Sequence, residues 1–486
     1  MSQRTLEFDI DTEVVYAYLD KLLRFIRDYY IRPSYATYPR FFKNVELKTI
    51  DSKEVLVFTE LNAEEGWSVD AEMRADKPIH IRLASSETVP QTVLEQIRDD
   101  LVIQIQIFEE EVRKITIYFA WREGEKSIPE KLEPSRKELQ QIFSDSQVWL
   151  NVIFLIGTFG AFIFLGPYAP LILVAAQFLL IFNSDKIFER MGDWKITSGN
   201  PKIHILEYPL PIEEYMYFRK RFKMEEVLNI KKEIYQNTLL AGKPLDCQTA
   251  GEVFTKYGIK YVPENMSTKI VDVYAIVKKV ADKYGIPVPR IVISNVMLPN
   301  AAASGPSSSR GIVMITTGLL IQLEEDEIIS ILGHEFSHLK ERDPIMLFIL
   351  TSVEYLLRAY YLWSIPIFWY LMFYMPYLYL IAVFGFIALI SKFFEARCDL
   401  ESAIVIGKPQ ILAQALRKIG FPQLRYERIP EYRFQSWLSL EPHPPVHFRI
   451  QRLEAMKEPV KSEHPLLQST ADVIKGFTAA LRGSFS

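Results

Sequence analysis

From Ser146 to Ser184 the chain carries no charged residue, and a second stretch, Ala359–Ser391, is equally free of charge. A helix needs about 20 apolar residues to cross a bilayer core, so each run is too long for one upright span. Gly166-Pro167-Tyr168-Ala169-Pro170 interrupts the first run, and Pro366 and Pro376 interrupt the second. Glycine and proline in such groups supply turns. The pattern predicts two helical hairpins in a membrane, with spans at about 147–165 and 169–185 and then at about 345–363 and 369–391. A buried hairpin in a soluble protein is the bland alternative. The second hydrophobic block as a whole runs from Ile345 to Ser391; Glu354 and Arg358 are the only charges inside it, and their four-residue spacing lets them pair on one helix face.

Basic residues give the orientation. Lys131, Arg136 and Lys137 precede the first span, Lys186, Arg190 and Lys195 follow the second, Lys340 and Arg342 precede the third, and Lys392 and Arg397 follow the fourth. The turns near Gly166 and Pro366 carry no lysine or arginine. The positive-inside rule then puts both termini and everything flanking the hairpins in the cytoplasm of a multi-pass plasma-membrane protein. The opening residues show no charged region followed by an apolar one, so no secretory signal is expected. A net charge of −4 without a basic patch argues against nucleic acid as a partner. Cys247 and Cys398 are too few for a disulfide framework.

Outside the apolar runs the chain reads as α and β. Residues 1–143 are expected to form a soluble α+β domain of unnamed role. It has a helix at 14–32, strand-like runs at 45–61, a strand at 79–83, a helix at about 89–113 and a strand at 115–121. A strand at 203–207, a charged helix at 212–240, helices at 247–257 and 269–284, and short strands at 290–294 and 311–316 follow.

Gly333-His334-Glu335-Phe336-Ser337-His338 is an HExxH motif in an apolar, helical stretch, opened by Glu324–Glu327. Histidines four apart share one helix face, so His334 and His338 can reach one metal ion. Glu335 between them is placed to act on a water that the ion activates. A third protein ligand is needed, and Glu395, just past the second apolar block, is the candidate. Asp399, one turn on, is placed to orient a ligating imidazole. Ligands on both sides of the second block must share one face of the membrane, which requires an even number of crossings between them, as the proline-broken block allows.

Pro299-Asn300-Ala301-Ala302-Ala303-Ser304-Gly305, Thr316-Thr317-Gly318-Leu319-Leu320, the HExxH with Arg342-Asp343-Pro344, Glu395 with Asp399 and Ala403, and His443-Pro444-Pro445 with Arg449-Ile450 and Leu453 stand in order along the chain. Over roughly 147–455 this resembles the HtpX-type integral-membrane zinc metalloproteases. The resemblance implies one Zn2+ per subunit on His334, His338 and Glu395, with Glu335 as general base and then proton donor. It further implies that His443 and Arg449 steady the site and the oxyanion, and that Asn300, Ala301, Ala302 and Ala303 form an edge for an extended substrate. Cys398 stands where the family usually has alanine, and Lys392-Phe393 where an arginine is common. His80, His204, His447 and His464 match no ligand spacing.

The expected fold is thus a mainly α integral-membrane protein with four transmembrane helices, a split zinc-metallopeptidase domain with a small edge β-sheet, and an N-terminal α+β soluble domain. Its parts are 1–143, the spans within 147–185, peptidase residues 186–343, the spans within 345–391, and peptidase residues 392–486. The expected partners are the lipid bilayer and polypeptide substrates. The expected function is hydrolysis of unfolded or damaged proteins by Glu-assisted attack of zinc-activated water. A narrow prenyl-CAAX type processing protease is the alternative, and a membrane scaffold with a vestigial site the third reading.

Overall fold

The computed structural model describes the chain apart from residues 1–2, 15, 32–39, 51–52, 63, 125–156, 158–159, 162, 363–364, 368–369, 371–374, 428–429 and 484–486. Most of the expected first span, the basic residues before it, and part of the break between the third and fourth spans lie outside the described residues. The chain divides into two compact units, one made of Met1–Phe119 and Ile205–Lys269, the other of Ala120–His204 and Ile270–Ser486. Residues 205–269, which the sequence reading groups with the peptidase part, cluster with the N-terminal segment.

In the first unit an antiparallel sheet runs in the order Gln3–Ile10, Ile79–Ser86, Trp67–Arg74, Lys53–Asn62, Arg40–Ile50. Period-two alternation buries Trp67, Val69, Ala71 and Met73 on one strand and Ile79, Ile81 and Leu83 on the next. Leu19, Leu22, Leu23 and Ile26 of helix Leu19–Ile26 share a core with them, as do Leu94, Ile97, Leu101 and Ile105 of helix Gln91–Lys114. His80 lies on the opposite strand face, its Nδ1 2.8 Å from Asp9. The helix expected at 212–240 is in fact two, Ile212–Arg221 and Met224–Asn237. The second starts afresh because Lys223 N–H donates to Glu226 Oε2 at 2.9 Å, a local cap that competes with helix continuation.

In the second unit a small sheet runs Ala301–Ser304, Ile312–Thr316, Arg290–Ser294, Trp194–Ile196. Arg290–Ser294 and Ile312–Thr316 pair in parallel, and Ala301–Ser304 is an antiparallel edge strand. The helix expected at 269–284 begins only at Val273, because Ser267–Asp272 is a strand and Asp272 caps the helix, accepting from Ala275 N–H at 2.9 Å.

One helix among the described residues, Ile163–Phe182, is long and apolar enough to cross a membrane. Its α-helical part, Ala169–Phe182, follows a 3-10 turn at Gly166–Tyr168, where Gly166 takes φ 53°, and leaves Leu171, Phe178, Leu179 and Leu180 exposed. Antiparallel to it packs helix Asp343–Tyr360, with Phe178 and Phe348 rings 6.0 Å apart and Tyr360 Oη donating to Pro167 O at 2.6 Å. Within that helix Arg358 Nε donates to Glu354 Oε1 at 3.0 Å. Helix Pro376–Val405 runs without interruption from the apolar block through Glu395 and Asp399.

Candidate metal centre and active site

Helix Glu325–Glu341 carries the HExxH motif and is started by Glu327, whose carboxylate accepts from Glu324 N–H at 2.8 Å. Two neighbours fix its rotation. Tyr284 Oη donates to Gly333 O at 2.7 Å and lies 2.8 Å from Ser337 Oγ. On another side Gly333 lets the Pro376–Val405 helix approach: a Cβ there would stand 2.5 Å from Ile406 Cγ1 and 2.7 Å from Ser402 Oγ. Helix-on-helix contact this close brings His334, His338 and Glu395 together.

The three candidate ligands converge on one point. His334 Nε2 and His338 Nε2 are 3.3 Å apart, His334 Nε2 is 3.2 Å from Glu395 Oε2, and His338 Nε2 is 3.3 Å from Glu395 Oε1. Donors about 2.0–2.1 Å from a tetrahedral ion of zinc's size stand about 3.3–3.4 Å apart, so this donor set fits such an ion. The three residues form one of two overlapping groups among the described residues that could hold a metal, the other being His338, Asp343 and Cys398. Burial alone would push the Glu395 carboxyl up, but His334, His338 and His443 hold it well below the usual carboxylate range.

Each imidazole is held from behind. Asp399 Oδ1 lies 2.9 Å from His334 Nδ1, and Asp343 Oδ2 lies 2.7 Å from His338 Nδ1. A carboxylate on Nδ1 turns Nε2 toward the metal and raises its basicity. Asp399 in turn accepts from Arg449 Nε at 2.8 Å and Nη2 at 2.7 Å, all buried. Burial raises the Asp399 carboxyl, and the Arg449 charge outweighs it, keeping Asp399 ionised. Arg449 thus holds Asp399 behind His334, where the sequence reading pairs it with His443 as steadying the site and the oxyanion. Arg397 Nη2 donates to Asp343 Oδ2 at 2.5 Å. Asp343 and Arg397 were not assigned roles from sequence; the signal was present in Arg342-Asp343-Pro344, because Arg342 at φ 59° ends the HExxH helix and turns Asp343 back under His338.

Further residues border the centre. His443, about half exposed, has Nδ1 2.7 Å from Glu395 Oε2. Glu335 Oε2 accepts from Ala303 N–H at 3.0 Å, so the acidic residue of HExxH reaches the sheet edge. Ala301, Ala302 and Ala303 lie on that edge, and Asn300 precedes it, its N–H donating to Thr316 Oγ1 at 2.9 Å. Cys398 Sγ sits 3.4 Å from His338 Nδ1, on the side away from Nε2, and burial pushes its thiol up to about 12. His204 and His447 lie on other elements, and His464 precedes the last helix.

Residues 268–457, which include every one of these site residues, match the model of peptidase family M48. A protease HtpX homolog of Methanothermobacter thermautotrophicus is 34% identical over 171 residues, which is 33% of this chain and 62% of that protein. Homologs from Thermococcus kodakarensis and Pyrococcus furiosus are 30% and 31% identical, over 42% and 41% of this chain and 79% and 78% of their own lengths. The chain thus spans somewhat under two thirds of the first relative and nearly four fifths of the other two. A crystal structure of S. mikatae Ste24p is similar at 17% identity and a TM-score of 0.30, covering 37% of this chain and 49% of that one. The Thermococcus kodakarensis and Pyrococcus furiosus relatives, at 30% and 31% identity over 79% and 78% of their lengths, make the chain a member of the HtpX-type M48 metallopeptidase family.

Proposed function

We propose that this protein is a membrane zinc endopeptidase that cleaves extended stretches of unfolded or damaged polypeptides. The observation that carries the reading is the set of three donors spaced 3.2–3.3 Å apart beside Glu335, which is itself bonded to an edge strand. His334, His338 and Glu395 would hold the zinc, which when bound supplies Lewis acidity toward the scissile carbonyl and toward water.

The remaining steps belong to the chain. Among the described residues Ala301–Ser304 is an edge strand of small residues, on which a substrate backbone adds as a further strand once Glu335 releases Ala303 N–H. Pairing of backbone rather than side chains selects extended, unfolded segments. Glu335 takes a proton from the attacking water and delivers it to the leaving amine. His443, beside Glu395 and half exposed, donates toward the carbonyl oxygen as charge develops. Arg449 acts through Asp399 by keeping His334 turned to the metal.

The membrane part is read as four helices, with the site and both termini on the cytoplasmic side and the peptidase domain split around the 345–391 block. The antiparallel contact of Ala169–Phe182 with Asp343–Tyr360 supports it, because Pro167 and Tyr360 meet at the end remote from the HExxH motif. The basic flanks support the orientation. The test is cleavage of an unstructured protein by the detergent-purified chain with zinc, beside Glu335→Gln. Loss of about 10²–10⁴-fold in the variant, with zinc retained, is expected for removal of a general base. Equal cleavage by both would refute the assignment, and cleavage confined to prenylated C-termini would replace the substrate class.

A further inference from the structure

Where the apolar helix Ala169–Phe182 ends, the surface opens into a hollow of ≈ 490 Å³ lined by Phe182, Asp185, Lys186, Arg290, Ser309 and Arg310 among others. Asp185 is its floor, with a side chain only 3% exposed. Two guanidiniums close over that carboxylate. Arg290 Nη2 donates to Oδ2, and Arg310 Nη2 reaches Oδ1 at 3.1 Å and Oδ2 at 3.2 Å. Arg310 Nη2 also donates to Phe182 O at 3.2 Å, and its guanidinium lies 4.8 Å from the Phe182 ring. One buried carboxylate and the last turn of the apolar helix therefore fix both arginines in place.

What this anchoring leaves outward is donor capacity. The Arg290 and Arg310 side chains remain 43% and 38% exposed. A guanidinium has five N–H groups, and among the described residues Arg310 engages partners through Nη2 alone. Lys186, exposed on the same rim, makes no ion pair among the described residues. Three cations thus line the hollow against one carboxylate, and Glu189, which also binds Arg290, is shared with Lys195 at 2.5 Å. Arg290 is engaged through Nη1 by Glu189 and through Nη2 by Asp185, so the free donors of the Arg310 guanidinium and the unpaired Lys186 ammonium are the groups that match the oxygens of a phosphate.

We propose that this hollow binds the phosphate group of an anionic membrane lipid. Free phosphate offers the same oxygens, but the position favours the lipid. The hollow opens at the end of an apolar helix whose Phe178, Leu179, Leu180 and Phe182 are exposed, so acyl chains can lie along that helix while the headgroup enters the cationic rim. The inference rests on the membrane reading above. The site also touches the substrate side, because Ser309 and Arg310 belong to the loop joining the edge strand Ala301–Ser304 to Ile312–Thr316. A bound headgroup braces that loop.

The experiment is native mass spectrometry of the full chain from nonionic detergent, offered phosphatidylglycerol or phosphatidylcholine, for wild type, Lys186→Gln and Arg310→Gln. Selective retention of phosphatidylglycerol is expected, weakened about fivefold for each cation removed. Lys186→Gln disturbs no ion pair, so it carries the test if Arg310→Gln unfolds. Equal retention of both lipids, or unchanged selectivity in Lys186→Gln, would overturn the proposal. Inorganic phosphate bound as tightly as phosphatidylglycerol would overturn the lipid source. Flotation with vesicles of phosphatidylcholine alone reads the membrane assignment separately: a chain that floats but shows no headgroup preference refutes this site only, and one that never floats refutes the membrane reading and this site with it.

Discussion

Asp399→Asn keeps the volume of a side chain that is 1% exposed and removes its charge. In the wild type its two oxygens serve His334 Nδ1 at 2.9 Å and the Arg449 guanidinium at 2.7 and 2.8 Å. Asparagine offers one acceptor and one donor group, so either the imidazole or the guanidinium must face a donor. Leaving Arg449 buried without its counter-charge costs about 3–5 kcal/mol. That is a large share of the roughly 5–15 kcal/mol that holds a typical domain folded. Independently, losing the group that orients His334 lowers metal affinity about 10–100-fold. The two effects separate in the double variant Asp399→Asn with Arg449→Gln, which removes the orphaned charge and recovers part of the stability but not the metal affinity. Thermal unfolding of the metal-stripped protein reads the first effect, and zinc affinity by chelator competition reads the second. A folded Asp399→Asn protein that binds zinc within about twofold of wild type would refute the positioning role, because the expected loss is at least tenfold.

Three other outcomes are expected. Burial, reinforced by Glu13, pushes both Glu109 and Glu207 up to about 7, so the folded state holds protons that the unfolded chain releases near its ordinary carboxylate pKa of 4.5. Stability is then greatest below that ordinary value and declines as pH rises toward 7; thermal unfolding of the full chain should occur at lower temperature at pH 8 than at pH 5, and Glu109→Gln should flatten the difference, each tenfold in proton affinity being worth about 1.4 kcal/mol. Gly333→Ala places a Cβ against Ser402 and Ile406 and should cost about 1–3 kcal/mol, seen as a lower Tm with weaker zinc binding. Lys392, 2% exposed, donates to Ser439 O at 2.9 Å and Glu441 O at 2.6 Å, so Lys392→Met should speed amide hydrogen exchange across 439–445 while leaving exchange in the HExxH helix unchanged; unaltered exchange there would mean that Lys392 does not hold the His443 loop.

The site was legible to the extent that it is written in helical spacing. His334 with His338, and Glu395 with Asp399, each lie four apart, so one helix face declares each pair before any fold is known. Asp343 has no ligand spacing to declare it, because its place under His338 depends on a left-handed turn at Arg342 that spacing does not encode. Arg397 and Lys392 act across elements, on Asp343 and on the carbonyls before His443, and only packing brings them there. In the fold, strands Gln3–Ile10 and Trp67–Arg74 carry the same period-two alternation that marks Ile79–Ser86, so they too are legible in the sequence, and their pairing register defines them. The strand Ser267–Asp272 was absorbed into a helix because Lys269 and Ile270 fit the amphipathic period that the true helix continues from Val273.

Helix Pro376–Val405 has no joint between its apolar beginning and its ligand-bearing end. Glu395 lies 19 residues along it from Pro376, by subtraction of those positions, or about 28 Å at 1.5 Å per residue. A rod of that length that tilts by one degree about its far end displaces the carboxylate by about 0.5 Å, roughly the tolerance of a working catalytic arrangement. A spanning helix takes up a mismatch with bilayer thickness partly by tilting. On the membrane reading proposed above, this rod couples the coordination geometry to the bilayer, and reconstitution in lipids of graded acyl length should shift zinc affinity along with turnover.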